Sequence, residues 1–93
     1  IAAVDGIDCL FIGRIDLTVA LGANSPTEQP VIDAVERICR AATAAGRTVG
    51  MFVGNMDEVP HWQAAGASLF LLASDHSFLM RGAGELVATF KSR

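Results

Sequence analysis

The side chains able to do chemistry gather in three short segments: Arg14-Ile15-Asp16, Gly54-Asn55 and Ser74-Asp75-His76. Each follows an apolar run of strand length. Asp16 is the best candidate among them. A carboxylate just past a buried strand offers hard oxygen ligands to a divalent cation. On residue type alone, a loop or cap role beside Leu17-Thr18 outweighs that reading. Ser74 has no nearby base to make it a nucleophile, so it reads as the cap of a following helix. His76 reads as a capping or exposed residue, and His61, beside Pro60, as a surface one. Trp62 falls at helical spacing and reads as core or subunit contact. No glycine-rich phosphate motif follows any strand.

The elements that must position these residues follow from hydrophobic pattern. Strands are expected over 7–12, 48–53 and 68–72. Continuous runs such as Cys9-Leu10-Phe11-Ile12 and Leu69-Phe70-Leu71-Leu72 fit strands buried on both faces of a parallel sheet. Residues 1–6 read as the end of a preceding helix or a loop. A long connection spans 13–30, with a helical turn within 16–21. Pro30 opens a helix whose inner face is Val31, Val35, Ile38, Ala42 and Ala45, with Cys39 alongside, and Gly46 ends it. Asn55 is expected to cap the next helix, with Glu58 as its capping-box partner. Pro60 falls awkwardly for that start. Val59, Trp62 and Ala65 face inward and Gly66 stops the helix. Leu79, Ala83, Leu86, Val87 and Phe90 mark a last helix. The β-α-β-α-β-α order makes the strands parallel, with right-handed crossovers, and places all three polar segments on one rim. Three parallel strands leave both edges open, which suits the last part of a barrel or of an open doubly wound sheet.

Composition limits the alternatives. Hydrophobic residues make up 52% of the chain and charged ones 18%, an apolar excess that asks for cover from further chain or another subunit. The formal charge is −3 and the basic residues are scattered, which argues against nucleic acid. No apolar run approaches bilayer length. Residues 1–5 lack the pattern of a signal peptide. Ile1 stands where a start Met would, so the chain is expected to begin inside a longer one. Cys9 and Cys39 read as two reduced core thiols of a cytoplasmic protein rather than a disulfide or metal pair.

The stretch Phe11-Ile12-Gly13-Arg14-Ile15-Asp16-Leu17-Thr18-Val19-Ala20-Leu21-Gly22 resembles the F-I-G-P-x-D-L-S-x-x-L-G signature of the HpcH/HpaI aldolases. The likeness continues through Ala44-Ala45-Gly46-Arg47, Val49-Gly50-Met51-Phe52, Ala64-Ala65-Gly66-Ala67-Ser68 and the Ala73-Ser74-Asp75 corner. It implies an α/β fold in which residues 1–93 form the C-terminal three βα units, strands six to eight, of a (β/α)8 TIM barrel. It implies a class II lyase that reversibly cleaves 4-hydroxy-2-oxo acids to pyruvate and an aldehyde. Asp16 would ligate a divalent metal (Mg²⁺, Mn²⁺ or Co²⁺), and the backbone of Ile15 and Asp16 would hold the substrate carboxylate. Phe52 would flank pyruvate. The last helix would pack on another subunit of a homo-oligomer.

Two departures from the pattern stand out. Arg14 replaces the usual Pro; it could reach a second carboxylate, but a solvent-facing role is favoured. Ala73 replaces Gly. The family's second metal carboxylate, catalytic His and Arg have no counterpart here, so no catalytic residue is assigned and these 93 residues alone are not expected to be active. Two other readings compete: a citramalyl- or malyl-CoA type lyase of the same superfamily, which Arg14 could suit, and a piece serving only in folding or subunit contact. A receiver-like open sheet lacks the acidic cluster it would need.

Overall fold

A computed structural model describes residues 1–93. The chain runs β1 (Cys9–Ile12), α1 (Arg14–Ala20), α2 (Gln29–Ala44), β2 (Thr48–Phe52), a 3₁₀ turn (Met56–Glu58), α3 (Val59–Ala65), β3 (Leu69–Leu71) and α4 (Asp75–Lys91). The three strands form one parallel sheet in the order β1-β2-β3, with Ile12 beside Met51 and Phe52 beside Leu71. The carboxyl ends of all three strands therefore lie on one rim.

Periodicity explains the core. Val31, Val35, Cys39 and Ala42 recur along one face of α2 and are fully buried. They pack on Ile12, Val49, Met51 and Val53 from the outer face of the sheet, with Trp62 of α3 and Ala67 completing the cluster. Each Val, Ile and Met side chain among them contributes about 1.5–3 kcal/mol on burial, and the smaller Ala side chains less. The helix ends follow local chemistry. Pro30 sits in the first turn of α2, where its missing N–H costs nothing. Gly46 and Gly66 carry φ of +72° and +116° just past α2 and α3, the left-handed conformation that closes a helix. Ser74 caps α4 by accepting the Ser77 N–H at 3.1 Å.

Several expectations need correction. The strands are shorter than the expected 7–12, 48–53 and 68–72. Residues 14–20 form two turns of helix rather than one turn in a long loop. The capping box at Asn55 does not form: Asn55 Oδ1 accepts the Asp57 N–H at 3.0 Å, while Glu58 turns to Arg14. Pro60 is accommodated because a 3₁₀ turn precedes α3 and puts it in that helix's first turn. Cys9 is half-buried rather than buried.

The sheet is covered on one face only. Its other face presents Phe11 (53% exposed), Phe52, Leu69 and Leu71 (55%) around Gly50. A parallel sheet needs both faces covered, so this face is the interior of a larger structure. An apolar cavity of about 550 Å³ lies along the free edge of β1, bordered by Leu10, Leu17, Ala20, Ile38 and Ala41. No residue of α4 is buried, and the molecule measures 58 × 28 × 20 Å. No helix is long and apolar enough to cross a membrane.

Candidate active site at the strand rim

Gly13 breaks β1, and α1 starts at the next residue with Arg14, Ile15 and Asp16 in its first turn. The N–H groups there precede the first helical bond, from Leu17 N–H to Gly13 O at 3.0 Å, and have no partner inside the helix. Thr18 is buried and its Oγ1 donates to Arg14 O at 2.7 Å, which secures that turn.

The Asp16 carboxylate folds back over Gly13. A Cβ on residue 13 would stand 2.9 Å from Asp16 Oδ2. Neither ion pair of the chain involves Asp16, so the carboxylate is free to bind something else. It borders a rim cleft of about 420 Å³ together with Phe11, Gly13, Ile15, Phe52 and Glu58. It also borders the apolar cavity at the β1 edge. The predicted residues Ile15, Asp16 and Phe52 thus meet at one cleft. The Ser74-Asp75-His76 segment does not line it; there Asp75 Oδ1 accepts the His76 N–H at 2.8 Å.

Arg14 departs from expectation. It neither faces solvent nor stands free for a second carboxylate. Its side chain is 11% exposed and forks onto Glu58, Nη1 to Oε1 at 3.0 Å and Nη2 to Oε2 at 3.2 Å. Nη2 also donates to Phe52 O at 2.8 Å. The guanidinium carbon lies 5.9 Å from the Trp62 ring centroid, within cation–π range. Its Nε is buried without a partner. Glu58 was missed as a rim residue because its spacing from Asn55 read as a cap; only the tertiary fold brings it to Arg14. His61 is an exposed residue, as expected, with Nε2 3.3 Å from Glu36.

No group of three His, Cys, Asp or Glu side chains is placed to hold a metal. The Asp16 carboxylate, hard and unpaired at the rim, fits one share of a divalent-cation site and no more.

Residues 1–81 match the family model for HpcH/HpaI aldolase/citrate lyase. The chain belongs to this family. It is 35% identical over its whole length to a hydroxypyruvate/pyruvate aldolase of Deinococcus radiodurans, covering 34% of that protein. It is 35% identical over 88 residues to a 4-hydroxy-2-oxo-heptane-1,7-dioate aldolase of Salmonella paratyphi C, again covering 34% of the relative. A crystal structure of an HpcH/HpaI aldolase/citrate lyase family protein from Burkholderia cenocepacia superposes with a TM-score of 0.88 at 32% identity, over 97% of this chain and 35% of that one. This HpcH/HpaI chain therefore spans about a third of the length of its relatives and supplies three βα units of their TIM-barrel fold. The open sheet face is then the barrel interior, and the rim with Asp16 is the end where barrel enzymes place their chemistry.

Proposed function

We propose that this chain forms strands six to eight, with their helices, of a metal-dependent lyase that reversibly cleaves 4-hydroxy-2-oxo acids to pyruvate and an aldehyde. One observation carries the reading: a partnerless carboxylate, Asp16, held over Gly13 at the barrel rim beside Phe52. Asp16 is one ligand of a divalent cation (Mg²⁺, Mn²⁺ or Co²⁺). Such a cation, when bound, supplies Lewis acidity toward the oxygens of a 2-oxo acid. The N–H groups of Ile15 and Asp16 receive the substrate carboxylate, and the Phe52 ring limits the space around the methyl end of pyruvate. The cavity beside β1 that Asp16 also borders leaves room for a further strand, which would bring the remaining ligands.

The homologues' names support the aldolase reaction class, and both their described substrate types are 2-oxo acids. The rival CoA-thioester reading drew its residue-level support from Arg14, which Glu58 and Phe52 already occupy. The exposed apolar side chains of α4 support packing on a second copy of the protein. The two free thiols support a reducing, cytoplasmic setting.

The complete polypeptide carrying these residues should cleave 4-hydroxy-2-oxo acids, lose that activity in EDTA and regain it with Mg²⁺, Mn²⁺ or Co²⁺. The Asp16→Asn variant should fold normally and fall at least ~100-fold in kcat/KM, the scale of losing one fixed charge interaction in a transition state. Activity indifferent to chelator, or an Asp16→Asn enzyme matching wild type, refutes the proposal.

A further inference from the structure

Arg14 is the first residue of α1, directly after the Gly13 break, and stands two residues before Asp16. Its three long-range hydrogen bonds land on the end of β2 and the turn that follows it: the Phe52 carbonyl, 38 residues away, and both Glu58 oxygens, 44 residues away. Phe52 is the last residue of β2. On its other side, that strand end is fixed to β3 by the Val53 N–H to Leu71 O bond at 2.9 Å. The guanidinium's rigid fork suits such multiple contacts in a way that a lysine's single ammonium cannot. A proline here, as in the signature this stretch resembles, would set φ locally but could donate no such hydrogen bonds across the rim.

We infer that Arg14 is a positioning residue: it ties the turn bearing Asp16 to the strand end bearing Phe52 and so fixes the spacing between the two sides of the rim cleft. This rests on the reading of Asp16 and Phe52 as substrate-side groups. Arg14 acts through them and does not touch the substrate. A displacement of about 1 Å between such groups lowers rates on the order of 100-fold.

The test uses the complete polypeptide, with Arg14→Ala, Arg14→Lys and Glu58→Gln. Arg14→Ala should raise KM for the 2-oxo acid and lower kcat/KM by roughly 100-fold. Glu58→Gln keeps the Phe52 contact and should lose less. Arg14→Lys, able to reach one partner at a time, should fall between. Hydrogen exchange at residues 53–58 should quicken in the same order, while Asp16→Asn leaves it unchanged. A purely structural role would lower the melting midpoint and leave KM of the folded enzyme and the exchange order untouched; that result overturns the inference. If Arg14→Ala does not fold, wild-type KM and exchange in both of the other variants overturn it equally. A wild-type protein without lyase activity refutes the reaction instead, and the exchange order alone then decides whether the tie exists.

Discussion

Asp16 Oδ2 occupies the space that a side chain on Gly13 would need, 2.9 Å from the position of a Cβ there. Gly13 has φ −86° and ψ 89°, on the side of backbone space open to other residues, so the requirement for glycine comes from the carboxylate and not from the backbone. The crowded atom is the free end of a flexible side chain. Gly13→Ala should therefore change stability by no more than ~0.5 kcal/mol while pushing Asp16 aside. We expect kcat/KM to fall at least ~10-fold, given the sensitivity of such sites to misplacement. Thermal unfolding beside steady-state kinetics checks both halves, and wild-type kinetics would show that the carboxylate's place is unimportant.

The α4 helix should matter for assembly. Leu79, Leu86 and Phe90 are 72%, 74% and 80% exposed, although the helix carries no buried residue to hold it against its own sheet. Replacing Leu86 and Phe90 together by Asp should weaken self-association by at least ~2 kcal/mol, the scale of losing buried apolar anchors at an interface. Light scattering after gel filtration measures it. An unchanged particle mass would rule α4 out as the contact.

Gly66 is a stability site. Its φ is +116°, and a Cβ there would meet Thr43 Oγ1 at 2.5 Å. Gly66→Ala should cost about 1–3 kcal/mol from the left-handed backbone alone, with the Thr43 contact adding to it. Thr43→Ala in the same chain should recover only the contact part. Denaturant unfolding of the single and double variants separates the two terms.

Burial, with a smaller contribution from Glu36, pushes the Cys39 thiol above its ordinary range. The folded state thus favours the protonated form. In the unfolded chain this thiol ionises first as pH rises, so the unfolded state binds fewer protons there. Stability is full below the ordinary thiol range and declines as pH climbs through it toward the raised folded value. Cys39→Ala should lose part of that alkaline decline. In native protein at neutral pH, Cys39 should resist thiol reagents that label it readily after unfolding.

The parallel βα order, the inner face of α2 and the cap at Ser74 are legible in the sequence because each rests on local pattern. Val31, Val35, Cys39 and Ala42 announce their face by spacing, and Ser74 announces its helix by hydrogen-bonding chemistry. The rim position of Asp16 is legible too, since strand ends carry it there. The role of Arg14 is not. It depends on Glu58 and the Phe52 carbonyl, which no local rule joins to residue 14. The same limit misplaced Glu58, whose spacing from Asn55 satisfied a capping rule that a stronger tertiary partner overrode. The need for outside cover is legible in the apolar excess, but not which face of the sheet lacks it, because a continuous apolar run reads alike whether its second cover lies in this chain or elsewhere.

The strand order in space repeats the order along the chain. During synthesis, β2 emerges to find β1 already made, and β3 finds β2. No pairing waits for a later segment to thread between earlier ones. The unit can grow like a zipper from the ribosome outward, which shortens the time its sticky strand borders spend without a neighbour.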